Sequence, residues 1–218
     1  MKSPITLAVA GLAVFAELLS GQAPRILTFD HKVKVTSIVP ALAGKTVDLY
    51  VRERYRADTK VNAIAADRVV LFVHGAGTPA EVAFDVPHSD YSWMAYLASA
   101  GFDVFAMDTT GYGRSDRPAE MNDPCNLSAA QQKQFVPSLI PSACEAKYVG
   151  QITNLGSDWH DIDAVVDHIR RLRKVEKVSP QAWCSTRSRA PSSTRTGIAS
   201  WAARTSSIRR FATWCGRR

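Results

Sequence analysis

Apolar and polar positions along the chain fall into stretches of distinct period. Val69-Val70-Leu71-Phe72-Val73 is an unbroken run of β-branched and large residues, the pattern of a strand covered on both faces. Phe102-Asp103-Val104-Phe105-Ala106-Met107 predicts a second buried strand. Between them, residues 91–100 set Trp93, Met94, Leu97 and Ala98 at helical spacing, and Gly101 follows as a C-cap. Each strand runs into a glycine-bearing loop: His74-Gly75-Ala76-Gly77-Thr78 after the first, Asp108-Thr109-Thr110-Gly111-Tyr112-Gly113-Arg114-Ser115 after the second. Strand, loop, helix, strand, loop is a βαβ unit and predicts an α/β fold.

Two earlier segments, residues 32–38 and 46–55, alternate apolar and polar positions on either side of a turn at 40–45, which predicts an antiparallel strand pair. Arg52, Arg54 and Arg56 fall on one face of the second strand and read as a solvated edge. Further on, Trp159, Ile162, Val165, Val166, Ile169 and Leu172 form the apolar stripe of a helix. Ser157 is its predicted cap. Asp158, Asp161 and Asp163 lie in its early turns and Arg170, Arg171, Arg173 and Lys174 at its end, charges that suit both ends of the helix dipole. His160 and His168 read as surface or half-buried positions on this helix. From Pro118 to about Gly156 no period is sustained.

The loop sequences narrow the class. His-Gly-x-Gly after one buried strand, Asp-x-x-Gly-x-Gly-x-Ser after the next, and Arg117-Pro118 behind it resemble the first half of the α/β-hydrolase superfamily. A dinucleotide fold would carry Gly-x-Gly-x-x-Gly leading into a helix after the first strand, and that pattern is missing. The resemblance implies an incomplete α/β-hydrolase sheet, mostly parallel, with two leading antiparallel strands. It implies a parent activity of serine-type hydrolysis on a small-molecule ester or related carbonyl, with no cofactor and no metal. Ala76 and Gly77 match the positions that contribute a backbone N–H to an oxyanion hole. His74 and Gly75 support that loop, and Asp108, Gly111, Gly113 and Ser115 support the second. Asp108 reads as a turn residue accepting backbone hydrogen bonds. The irregular residues 117–156 match the place of an insertion or lid.

The chemistry of such a fold needs a nucleophile on a strained elbow, Gly-x-Ser-x-Gly or a close variant, followed by an acid and then a histidine. No Ser or Cys in this sequence has that context. Cys184 stands near the expected distance, but Trp183 and Arg187 surround it and no glycine does. The last histidine is His168, so no general base follows any candidate. The strand due after Lys174 meets Pro180, which removes a donor from a central ladder. Its expected loss leaves the Val69 strand as an exposed edge. The rival reading is a non-catalytic protein of the same fold that binds a ligand or partner in the surviving cleft.

Charge changes the picture only at the C-terminus. The formal net charge is +7, yet residues 177–218 hold nine basic residues and no acidic ones, so the basic character belongs to the tail and the body is slightly acidic. The eight Arg and three Trp of the tail would suit phosphate contacts and base stacking. The same mixture of Arg, Ser, Ala, Thr and Trp suits the product of a shifted reading frame, and nucleic acid is not among the expected partners because the N-terminus carries an export pattern. Lys2, an apolar run from Ile5 to Leu19 and the small residues Ser20, Gly21 and Ala23 have the layout of a secretory signal peptide, short for a stable span of about 20 residues. A retained amphipathic helix or short anchor is the alternative. The expected location is secreted or periplasmic, where Cys125 and Cys144 would close the irregular region as a disulfide; two buried thiols are the alternative. The expected organisation is a signal peptide at 1–23, a partial hydrolase domain at 24–178 and a basic low-order tail at 179–218. Nothing in the pattern sets an oligomeric state.

Overall fold

A computed structural model describes residues 24–75, 77–146 and 152–182. The expected signal peptide, Ala76, Cys184 and most of the basic tail lie outside the described residues. Along the chain run β1 (Ile26–Thr36), β2 (Thr46–Arg56), β3 (Val69–Val73), α1 (Ala80–Phe84), α2 (Trp93–Ser99), β4 (Asp103–Met107), α3 (Ala129–Gln132), α4 (Leu155–Arg173) and β5 (Ser179–Ala182). The strands form one sheet in the order β1-β2-β4-β3-β5. β1 and β2 make an antiparallel hairpin, β2 meets β4 antiparallel, and β4, β3 and β5 run parallel. The two leading antiparallel strands are present as expected, but half of the pairings are antiparallel, and the sheet is mixed where a mostly parallel one was expected. The reason is the hairpin, which takes two of the five places.

Covering both faces of β3 and β4 explains their unbroken apolar sequence. Val69, Leu71, Val73, Phe105 and Met107 pack against Ile162, Val165 and Ile169 of α4. Val70, Phe72, Val104 and Ala106 point the other way, onto Ala80, Phe84, Met94 and Ala98 of α1 and α2. Each large side chain so buried contributes about 1.5–3 kcal/mol. The step from β3 to β4 and the step from β4 to β5 cross the sheet in opposite directions, so right-handed crossovers place their helices on opposite faces.

Four expectations change. β5 forms in spite of Pro180, which sits opposite Leu71. β5 is the outermost described strand, where a proline that turns its nitrogen away from the sheet costs no ladder bond. β3 is therefore paired on both sides and is not an edge. Second, Arg52 and Arg54 are not a solvated face: their side chains are largely buried beneath α1 and α2, where Arg52 pairs with Asp30, Glu81 and Asp85 and Arg54 with Asp85. Third, α4 starts earlier than Ser157. Asn154 is its cap, accepting the Ser157 N–H at 3.0 Å while Ser157 Oγ accepts the Asn154 N–H at 2.9 Å. Fourth, the described part of 117–156 is built of short helical turns, Ala119–Asn122, Pro124–Asn126 and α3. Cys125 and Cys144 are joined there as a disulfide, with Cα atoms 5.3 Å apart.

Candidate functional site

The loops that follow β3 and β4 lie side by side at the carboxyl ends of two parallel strands, the place where open α/β sheets bind ligands. His74 ties one loop to the other. The Thr109 N–H donates to His74 Nε2 at 3.2 Å. That nitrogen therefore carries the lone pair, and Nδ1 donates to the Gly75 carbonyl at 2.9 Å. Both its nitrogens are thus engaged. Its ring packs on Tyr112, centroid to centroid 4.7 Å. Thr109 Oγ1 also lies 3.4 Å from Nε2, but Thr109 is buried and the backbone N–H is the nearer donor, which leaves no base to activate the hydroxyl.

Asp108 is buried at the head of the second loop. Its Oδ1 accepts the Ala80 N–H at 2.7 Å and its Oδ2 accepts the Arg114 N–H at 2.9 Å. One carboxylate thus anchors the start of α1 and closes the turn that follows β4. Gly113 is required beside it: with φ +47°, a Cβ there would stand 2.1 Å from Asp108 Oδ2. Ser115 completes the turn, donating to the Asp108 carbonyl at 2.6 Å and accepting the Tyr50 N–H at 2.8 Å. In the first loop Gly77 has φ +93°, a conformation open to glycine at little cost. Ala76, its expected companion, lies outside the described residues.

The N-terminal turns of α4 add two carboxylates. Asp161 Oδ2 accepts the Thr110 N–H at 2.8 Å and is buried. Burial pushes its carboxyl above the ordinary range, opposed by the Thr110 bonds and by His160. Asp158 is raised as well, by burial and then by Asp161. The sequence reading assigned both to the helix dipole. The available signal was their place on the apolar stripe, since Asp158 and Asp161 lead into Val165 at helical spacing. Of the other histidines, His160 Nε2 contacts the Thr36 carbonyl at 3.1 Å, His88 lies tilted beside Tyr91, and the half-buried His31 and His168 meet edge-on. Among the described residues no cluster of three or more His, Cys, Asp or Glu is arranged to hold a metal ion. No helix among them is long and apolar enough to cross a membrane.

A groove of about 750 Å³ lies elsewhere, on the α2 face of the sheet over β3 and β5, with Val70, Phe72 and Gln181 among its lining and Tyr91, Trp93 and Tyr96 at its rim.

A family model described as alpha/beta hydrolase fold matches residues 68–177, from the start of β3 to just beyond α4. The solved structure described as "the overall structure of VrEH2" is similar over 70% of this chain and 30% of that chain, with 20% identity and a TM-score of 0.31. The chain thus spans less than a third of that structure's length. No curated protein matches it.

Proposed function

The chain belongs to the alpha/beta hydrolase fold family, and on that premise we propose that its parent activity is serine-type hydrolysis of a small-molecule ester or related carbonyl compound, without a cofactor. The observation that carries the reading is the joined pair of glycine loops, fastened by His74 and Asp108 at the ends of β3 and β4. In this reading Ala76 and Gly77 supply the backbone donor toward a developing oxyanion, worth a few kcal/mol in such sites.

This chain is itself catalytically inactive in our reading. It carries no Gly-x-Ser-x-Gly elbow and no histidine after His168. His74 is engaged at both nitrogens, which supports the same conclusion. The basic tail is read as the product of a frame shift that replaced the elbow. Residues 1–23 act as an export signal, and the Cys125–Cys144 pair is in keeping with a secreted or periplasmic location. A second reading, binding without catalysis, is favoured by the apolar groove with its aromatic rim. Labelling of the purified chain with a serine-reactive fluorophosphonate, alongside turnover of a short-chain chromogenic ester, tests the proposal. The expected result is neither label nor turnover. A stoichiometric label with turnover would overturn the inactive reading and place a nucleophile outside the expected elbow.

A further inference from the structure

Where the C-terminal half of α4 crosses the sheet, five ionisable side chains from four elements meet: His31 of β1, Glu53 of β2, Asp103 of β4, and His168 and Arg173 of α4. Glu53 is 2% exposed and Asp103 fully buried. Arg173 ion-pairs with Glu53 Oε1 through Nη2 and sets its Nε 2.6 Å from Asp103 Oδ2. His31 Nε2 is 2.7 Å from Glu53 Oε2, and the His31 and His168 rings stand edge-on at 5.7 Å. Two buried atoms in the cluster, Asp103 Oδ1 and His168 Nε2, lack a protein partner. The rings of Tyr55 and Phe105 lie beneath Arg173. Asp30 of β1 and Arg171 of α4 act on the imidazoles from outside.

With both carboxylates ionised and both imidazoles neutral, two buried anions face one guanidinium. One proton balances the charges. Further protons on the facing imidazoles place like charges side by side next to Arg173, where burial makes unpaired charge costly. We propose that this cluster is a proton-operated latch that fastens the C-terminal half of α4 to β1, β2 and β4, closed when it holds one proton and opened by further protonation of His31 and His168.

The charges of the individual groups agree with that order of events. Burial pushes Asp103 up to about 7. Burial also pushes the Arg173 guanidinium, which ion-pairs with Glu53, below its ordinary value. His31 is held below the ordinary imidazole value by burial and then Arg173, with Asp30 opposing. His168 is held below it by burial, then His31 and Arg171. A lowered imidazole takes up its proton on opening, so each histidine favours the open form as pH falls below about 6.5. The raised Asp103 releases its proton on opening, so it favours the closed form as pH falls below about 7. About one pH unit below the ordinary imidazole value, opening therefore approaches an uptake of two protons against a release of one.

Hydrogen exchange on the full chain tests this without reference to hydrolysis. After correction for intrinsic exchange rates, protection of residues 166–173 is expected to fall about tenfold per pH unit in that window, one net proton. His168→Gln removes one uptake and flattens the dependence; Asp103→Asn removes the release and steepens it to about a hundredfold per pH unit. An unchanged slope in His168→Gln overturns the proposal. Where a variant fails to fold, the imidazole resonances of His31 and His168 in the unmodified chain decide. Midpoints below the ordinary value support the latch, and midpoints at or above it overturn it.

Discussion

Asp108 and Gly113 show how one close contact organises the candidate site. The carboxylate holds the Ala80 and Arg114 backbone amides at once, and it reaches the second only because residue 113 has no side chain. Gly113→Ala sets a Cβ against a carboxylate that cannot swing away without leaving both amides unsatisfied. The expected loss is about 2–4 kcal/mol in denaturant unfolding. Asp108→Ala strands the same donors, at about 1–3 kcal/mol for each buried one. It should also free the loop after β4, read as faster exchange of the Thr109 and Thr110 amides. The glycines and Asp108 were legible as a motif because a tight turn restricts residue type. Asp161 was not, because its hold on Thr110 depends on the angle at which α4 crosses the sheet, a property of packing that local spacing does not carry.

At the scale of elements, β3, β4 and the hairpin were legible from period alone, since apolar continuity and alternation report directly on how many faces are covered. β5 was misread for a physical reason: the rule against proline holds for a strand with neighbours on both sides, and β5 has only β3 beside it among the described residues. The segment after Pro118 lacked a period because a disulfide and one amide order it instead of a core. Gln132 is buried within it, donating its two amide hydrogens to the Leu127 and Cys144 carbonyls and accepting the Cys144 N–H at 2.9 Å. Reduction of Cys125–Cys144, separated by 19 residues, is expected to cost about 3 kcal/mol. Gln132→Ala strips the loop of its internal acceptor and donors with the disulfide intact. Thermal unfolding with and without reductant, in both forms, checks whether the two contributions fall in the same loop: the effect of reductant should be smaller in Gln132→Ala.

For the whole molecule, the two faces of the sheet are unequally covered. Among the described residues α4 spans one face, while α1 and α2 cover the other over β1, β2, β4 and part of β3, which leaves the groove over β3 and β5. Trp93 and Tyr96 at its rim are 64% and 74% exposed, beside an apolar floor of Val70 and Phe72. Contiguous apolar surface of this kind binds apolar dyes and promotes self-association. The purified chain is therefore expected to bind an environment-sensitive apolar dye while its body still unfolds cooperatively, since the buried core is continuous across β1 to β4 and α4. Trp93→Lys combined with Tyr96→Lys should cut dye binding and light scattering with little loss of stability, because both side chains already project into solvent. A large drop in the unfolding midpoint of that double variant would show instead that the rim is packed, and that the groove is filled in solution.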